Sequence, residues 1–89
     1  MKHLAIKITG RVQGVFFRAS TKDKAEKLAI KGFVRNDRNN SVYIEAEGTE
    51  ENLKQFIEWC HRGPDRAEVK SVIVEEGNIR GFTMFEVKR

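Results

Sequence analysis

Three features of the chain predict an α+β sandwich, with two helices on one face of an antiparallel sheet of four to five strands. Apolar residues alternate along Leu4–Ile8 and again along Val42–Ala46, the period of half-buried strands. The runs around Phe17–Lys31 and Leu53–Cys60 instead space their apolar residues as helices do. Turns rich in glycine and asparagine separate these runs, giving the order β-α-β-β-α-β with a further edge strand. A central hairpin and two crossover helices pack most economically as a ferredoxin-like sandwich. That scaffold hosts many activities, so function has to be read from a site.

Each element has its own local reason. Leu4, Ile6 and Ile8 alternate with Ala5 and Lys7 as a first strand, and a turn beginning at Gly10 follows. The first helix is expected from about Phe17 to Lys31, with Phe17, Ala25, Leu28 and Ala29 for its apolar face. Gly32 is placed to stop it in the left-handed conformation. Phe33-Val34-Arg35 begins the second strand, and Asn36–Ser41 makes a hairpin turn tipped by Asn39-Asn40. Val42, Ile44 and Ala46 mark the third strand. Thr49 caps the second helix, and Glu50 and Glu51 suit the positive end of its dipole. Leu53, Phe56, Ile57 and Cys60 fall at i, i+3, i+4 and i+7, and Gly63-Pro64 ends the helix. Val69–Val74 and Phe82–Val87 are the remaining strands. Without repeats or linkers, 1–89 reads as a single domain.

Composition narrows the classes. A chain of 89 residues makes one small domain, burying roughly 60–70% of its unfolded surface. No apolar run approaches the roughly 20 residues of a membrane helix, and Lys7 interrupts the first apolar stretch, so no span or signal segment is expected. Cys60 is the only cysteine, which excludes an internal disulfide and makes the cytoplasm the default setting. At core spacing in a helix, Cys60 reads as packing rather than as a nucleophile. No Cys/His spacing suggests zinc, and neither a metal nor a cofactor is expected.

The net charge of +4 suits anionic partners without choosing among them. Its distribution is more telling. The first 22 residues hold five of the 17 basic side chains and none of the 13 acidic ones. Within that stretch Gly10-Arg11-Val12-Gln13-Gly14-Val15-Phe16-Phe17-Arg18 joins a strand to a helix. Glycines four apart allow a tight turn whose N–H groups can converge on an anion, and the helix adds its own unpaired N–H groups. Arg18 in the first helical turn opposes the dipole unless a negative group lies between them. Taken alone, such a turn is more often structural. The acid-free setting is what turns the reading toward an oxyanion.

The same nine residues resemble the acylphosphatase signature G-x-V-Q-G-V-x-F-R with no position broken. Gly32-Phe33-Val34-Arg35-Asn36 is similar to that family's second motif, G-[WF]-V-x-N. The likeness extends to Gly48, Gly63-Pro64 and the terminal strand, while Asn39-Asn40 replaces the Asp-Gly usual at the hairpin tip. The resemblance implies hydrolysis of a carboxyl–phosphate bond to carboxylate and inorganic phosphate, without a metal. It implies that Arg18 binds the phosphate with backbone N–H groups of Gln13, Gly14, Val15, Phe16, Phe17 and Arg18, and that Asn36 orients the attacking water. It also implies a small-molecule acyl phosphate as partner; a monomer is expected, and neither nucleic acid nor membrane is expected as a partner.

A nucleic-acid module is the competing class, since RNA-recognition domains share this layout. Lys31-Gly32-Phe33-Val34 faintly resembles their strand motif. Arg35 and Asn36 then stand where another aromatic is expected, and Tyr43 alone is too little for a stacking platform. A non-catalytic anion-binding regulatory domain is the third possibility.

Overall fold

The computed structural model describes every residue, Met1–Arg89. Its elements are β1 (Lys2–Arg11), α1 (Phe17–Lys27), β2 (Lys31–Asn36), β3 (Val42–Gly48), α2 (Glu50–Arg62), β4 (Glu68–Gly77) and β5 (Phe85–Val87). The strands form one sheet in the order β4-β1-β3-β2-β5. The first four pair antiparallel, as the sequence leads one to expect. β5 departs from that expectation, lying parallel to β2 with Phe85 opposite Gly32. The reason is directional. β4 runs opposite to β2, so one turn at the end of β4 leaves the chain running with β2.

The alternation read from the sequence sets the two faces of the sheet. Leu4, Ile6, Ile8, Val34, Val42, Ile44 and Ala46 enter one core with Phe17 and Ala25 of α1 and Leu53, Phe56 and Cys60 of α2. Thr49 caps α2 by accepting from the Asn52 N–H at 3.1 Å, as expected. The hairpin tip also behaves as expected, with Asn39 and Asn40 at φ 59° and 60°.

Helix α1 is shorter than the sequence suggests. It stops at Lys27, where Ala29 turns left-handed at φ 54°. Ile30 N–H then donates back to the Ala25 carbonyl and Ala29 N–H to that of Glu26, a Schellman closure. Gly32 is therefore not the helix stop. It lies inside β2 at φ 148°, where a Cβ would sit 1.8 Å from the Glu45 carbonyl oxygen, so close strand approach requires glycine. Thr21 of α1 is buried, and its hydroxyl donates to the Phe17 carbonyl at 2.7 Å.

Phe82–Met84 are not part of the last strand. With Asn78–Gly81 they form a loop across the helix-free face of the sheet. The buried Glu47 carboxylate anchors this loop, accepting N–H groups from Arg80 at 2.6 Å and from Gly81 and Phe82 at 3.1 Å. His3 Nδ1 lies 2.6 Å from the same carboxylate, and the His3 ring stacks on Phe82. Burial works against ionisation of Glu47. The Arg80 N–H, the His3 ring and the other loop N–H groups outweigh it and hold the carboxyl below its ordinary value.

Candidate active site

The segment between β1 and α1 bends because of where its side chains are buried. Val12, Val15 and Phe17 all enter the core, so the backbone must fold back between them. Gly14 at φ 72° and Phe16 at φ 62° supply the reversals. A Cβ on Gly14 would meet nothing within 4 Å, because that side of the loop faces an open cleft. Gly10, by contrast, belongs to β1, at the irregularity where the register to β4 shifts, rather than to the bend itself.

The bend leaves its donors unused. The first helical bond of α1 runs from Ser20 N–H to the Phe16 carbonyl, at 3.0 Å. No protein acceptor takes the main-chain N–H of any residue from Gln13 through Ala19. No side chain caps the start of α1, and no acidic residue stands in its first turn. A helix end with neither is normally completed by water or an anion.

Around these donors lies a cleft of about 520 Å³, lined among others by Gly14, Phe16, Phe17, Arg18 and Asn36. Arg18 is half-buried and donates from Nη1 to the Lys88 carbonyl at 3.0 Å, which fixes one edge of the guanidinium. Asn36 ends β2, and its side-chain amide makes no hydrogen bond within the protein, so it is free to donate and accept at once. The sequence-predicted residues thus divide by task. Gly14, Phe16, Phe17, Arg18 and Asn36 meet in one cleft. The Val15 side chain is core, and Gln13 turns its side chain away from the cleft, donating to the Asp37 and Ser41 carbonyls at 3.1 and 2.8 Å. Gln13 thereby ties the bend to the hairpin that follows Asn36.

Residues 4–87 match the acylphosphatase family model. The chain belongs to the acylphosphatase family. It is similar to the acylphosphatase of Rubrobacter xylanophilus, 44% identical over 85 residues that cover 91% of this chain and 77% of that one. The acylphosphatase of Methylococcus capsulatus is 42% identical over 90 residues, covering 100% and 98% of the two chains. Its fold superposes on the crystal structure of acylphosphatase from Bacillus subtilis with a TM-score of 0.97, at 33% identity over 100% of both chains. Hydrolysis of acyl phosphates is the activity of this family, and the chain is a hydrolase of that class.

The C-terminal residues also belong to the site, although nothing in the sequence marks them for it. Val87 and Arg89 line the cleft, and Lys88 supplies the carbonyl on Arg18. Only the parallel β2–β5 pairing brings them there, and no motif announces it. Neither histidine reaches the cleft. His3 is held at the Glu47 anchor, and His61 ends α2 on the surface. Cys60 is buried, and burial alone pushes its thiol up to about 12. No group of three or more His, Cys, Asp or Glu side chains is arranged to hold a metal. No helix is long and apolar enough to cross a membrane.

Proposed function

We propose that the chain cleaves the carboxyl–phosphate bond of small acyl phosphates in the Gly14–Arg18–Asn36 cleft, the 89 residues acting as one domain. The observation that carries this reading is the unbroken run of unpaired N–H groups from Gln13 through Ala19 beside a cleft that Arg18 also lines. Those donors take the phosphoryl oxygens, and the free edge of Arg18 adds charge-assisted bonds to them. Lys88 removes the freedom of the guanidinium before substrate arrives, so less is lost on binding.

Asn36 holds a water by donating to or accepting from it, aimed at phosphorus. The water oxygen forms a bond to phosphorus while the bond from phosphorus to the acyl oxygen breaks. The carboxylate departs, and the water's proton ends on a phosphate oxygen. An acyl phosphate dianion and water therefore give a carboxylate and monobasic phosphate, with charge and atoms conserved. A carboxylate is a good leaving group and the transition state is loose, so positioning and charge stabilisation supply the catalysis. No side chain has to act as a strong base.

The setting this reading assumes is a cytosolic monomer, in keeping with a single buried thiol. The test is release of acetate and phosphate from acetyl phosphate with a chelator present. Turnover that disappears in Arg18→Ala supports the reading; turnover that survives it unchanged refutes it. The helix-free sheet face offers little to a nucleic acid, since Phe33 is buried against Phe82 of the covering loop and Tyr43 lies under Arg35.

A further inference from the structure

Phe16 is held where its side chain gains nothing from the fold. Its φ of 62° and ψ of 24° place a bulky aromatic residue in the left-handed region, which such residues rarely occupy. Its side chain is 75% exposed, whereas Val15 and Phe17 on either side are buried. Glycine would adopt this backbone freely, so the fold gives no reason for phenylalanine here. The ring lines the same cleft as the unpaired N–H groups, and Val87 faces that cleft from β5 with 42% of its own surface open. An apolar wall therefore stands at the mouth of a polar cradle, built from two elements far apart in sequence.

We propose that Phe16, with Val87, reads the acyl half of the substrate and makes the enzyme favour acyl phosphates with extended apolar acyl groups. This inference rests on the phosphate-cradle reading above. A phosphoryl group seated on the N–H groups of the bend leaves its acyl group at the cleft mouth. Apolar atoms placed against the Phe16 ring and Val87 leave water, whereas the methyl of an acetyl group is too short to cover either. Arg89 also lines the cleft, so an acyl group ending in a carboxylate is the competing preference.

The experiment compares kcat/KM for acetyl, butanoyl and hexanoyl phosphates, whose carboxylate leaving groups have closely similar acidity. The wild-type protein is expected to gain about two- to fourfold per added methylene. Phe16→Gly, which suits the backbone and leaves the fold intact, should flatten that gain. Phe16→Tyr should keep it. A role of Phe16 in shaping the bend would lower all three substrates equally, leaving the dependence on chain length unchanged, and that result would overturn the proposal. So would a wild-type preference for succinyl over butanoyl phosphate that exceeds any gain from methylenes. No turnover of any member would sink the cradle reading itself, whereas turnover without dependence on chain length sinks only the assignment of Phe16.

Discussion

The Arg18 guanidinium donates to the Lys88 carbonyl at 3.0 Å, joining residues 70 positions apart. Lys88 N–H in turn donates to the Val34 carbonyl at 2.8 Å, two residues before Asn36 on the same strand. The C-terminal segment thus sits between the two elements that carry the proposed catalytic side chains. Arg18→Ala should lower kcat/KM for acetyl phosphate by on the order of 10³-fold, as for other phosphate-clamping arginines. Its thermal midpoint should scarcely move, because the half-buried side chain makes a single hydrogen bond, and that bond is open to solvent. Arg18→Lys should remain poor, since an ammonium cannot hold the Lys88 carbonyl and two phosphate oxygens in one plane. Steady-state kinetics alongside a melting curve checks all three statements.

Asn36→Ala removes the group proposed to orient water while leaving the N–H donors in place. The expected loss is about 10²–10³-fold in kcat, the cost of one preorganised polar group. Inhibition by orthophosphate should stay close to that of the wild type. If phosphate affinity falls as steeply as kcat, Asn36 is binding the anion rather than the nucleophile.

Gln13→Ala should act through position instead of contact. Its amide bridges the Asp37 and Ser41 carbonyls, and losing it costs about 1–2 kcal/mol of stability. Because that bridge fastens the bend to the Asn36 hairpin, KM should rise more than kcat falls. Denaturant titration with paired kinetics separates the two effects.

How legible was all this in the sequence? The alternation of Leu4, Ile6 and Ile8, and the i, i+3, i+7 spacing of Leu53, Phe56 and Cys60, report burial directly, and the structure buries all six. The bend between β1 and α1 is readable too, because its glycine and its lack of acids mark a tight turn whose N–H groups the structure leaves unpaired. What escaped was set by distant partners. Gly32 looks like a helix stop, but its conformation is dictated by the Glu45 carbonyl across the sheet. Ala29 closes the helix with no residue type to advertise it. Glu47 and His3 look like solvent-facing residues of alternating strands until the Asn78–Met84 loop covers them. The role of Lys88 is played by its carbonyl, which any residue would supply.

The two backbone positions differ sharply in cost. Gly32→Ala forces a Cβ into the Glu45 carbonyl and should destabilise by about 3 kcal/mol or more, splitting β2 from β3. Ala29→Gly relieves a left-handed alanine and should raise stability by about 0.5–1 kcal/mol. Urea midpoints with unchanged slopes would bear out both.

The Glu47 anchor gives the fold an acid-sensitive point. Its carboxyl is held below the ordinary value in the folded chain, so it stabilises the fold above the unfolded value, about 4.3. That contribution is lost as pH falls below this value and through the folded one. Glu47→Gln should abolish this share of the acid dependence and lower stability at neutral pH by about 3 kcal/mol, because a neutral amide meets the three N–H groups and His3 poorly. Unfolding free energies of both proteins between pH 7 and pH 3 test the sign. If stability falls with acid equally in both, the anchor is not the group responsible.

The most direct test concerns the unused donors of the bend. Orthophosphate titrated to millimolar concentration should shift the amide resonances of Gln13 through Ala19 together, with one dissociation constant, and slow their hydrogen exchange. The same titration of Arg18→Ala should need far more phosphate. Shifts spread over the basic surface while those amides stay still would contradict the account.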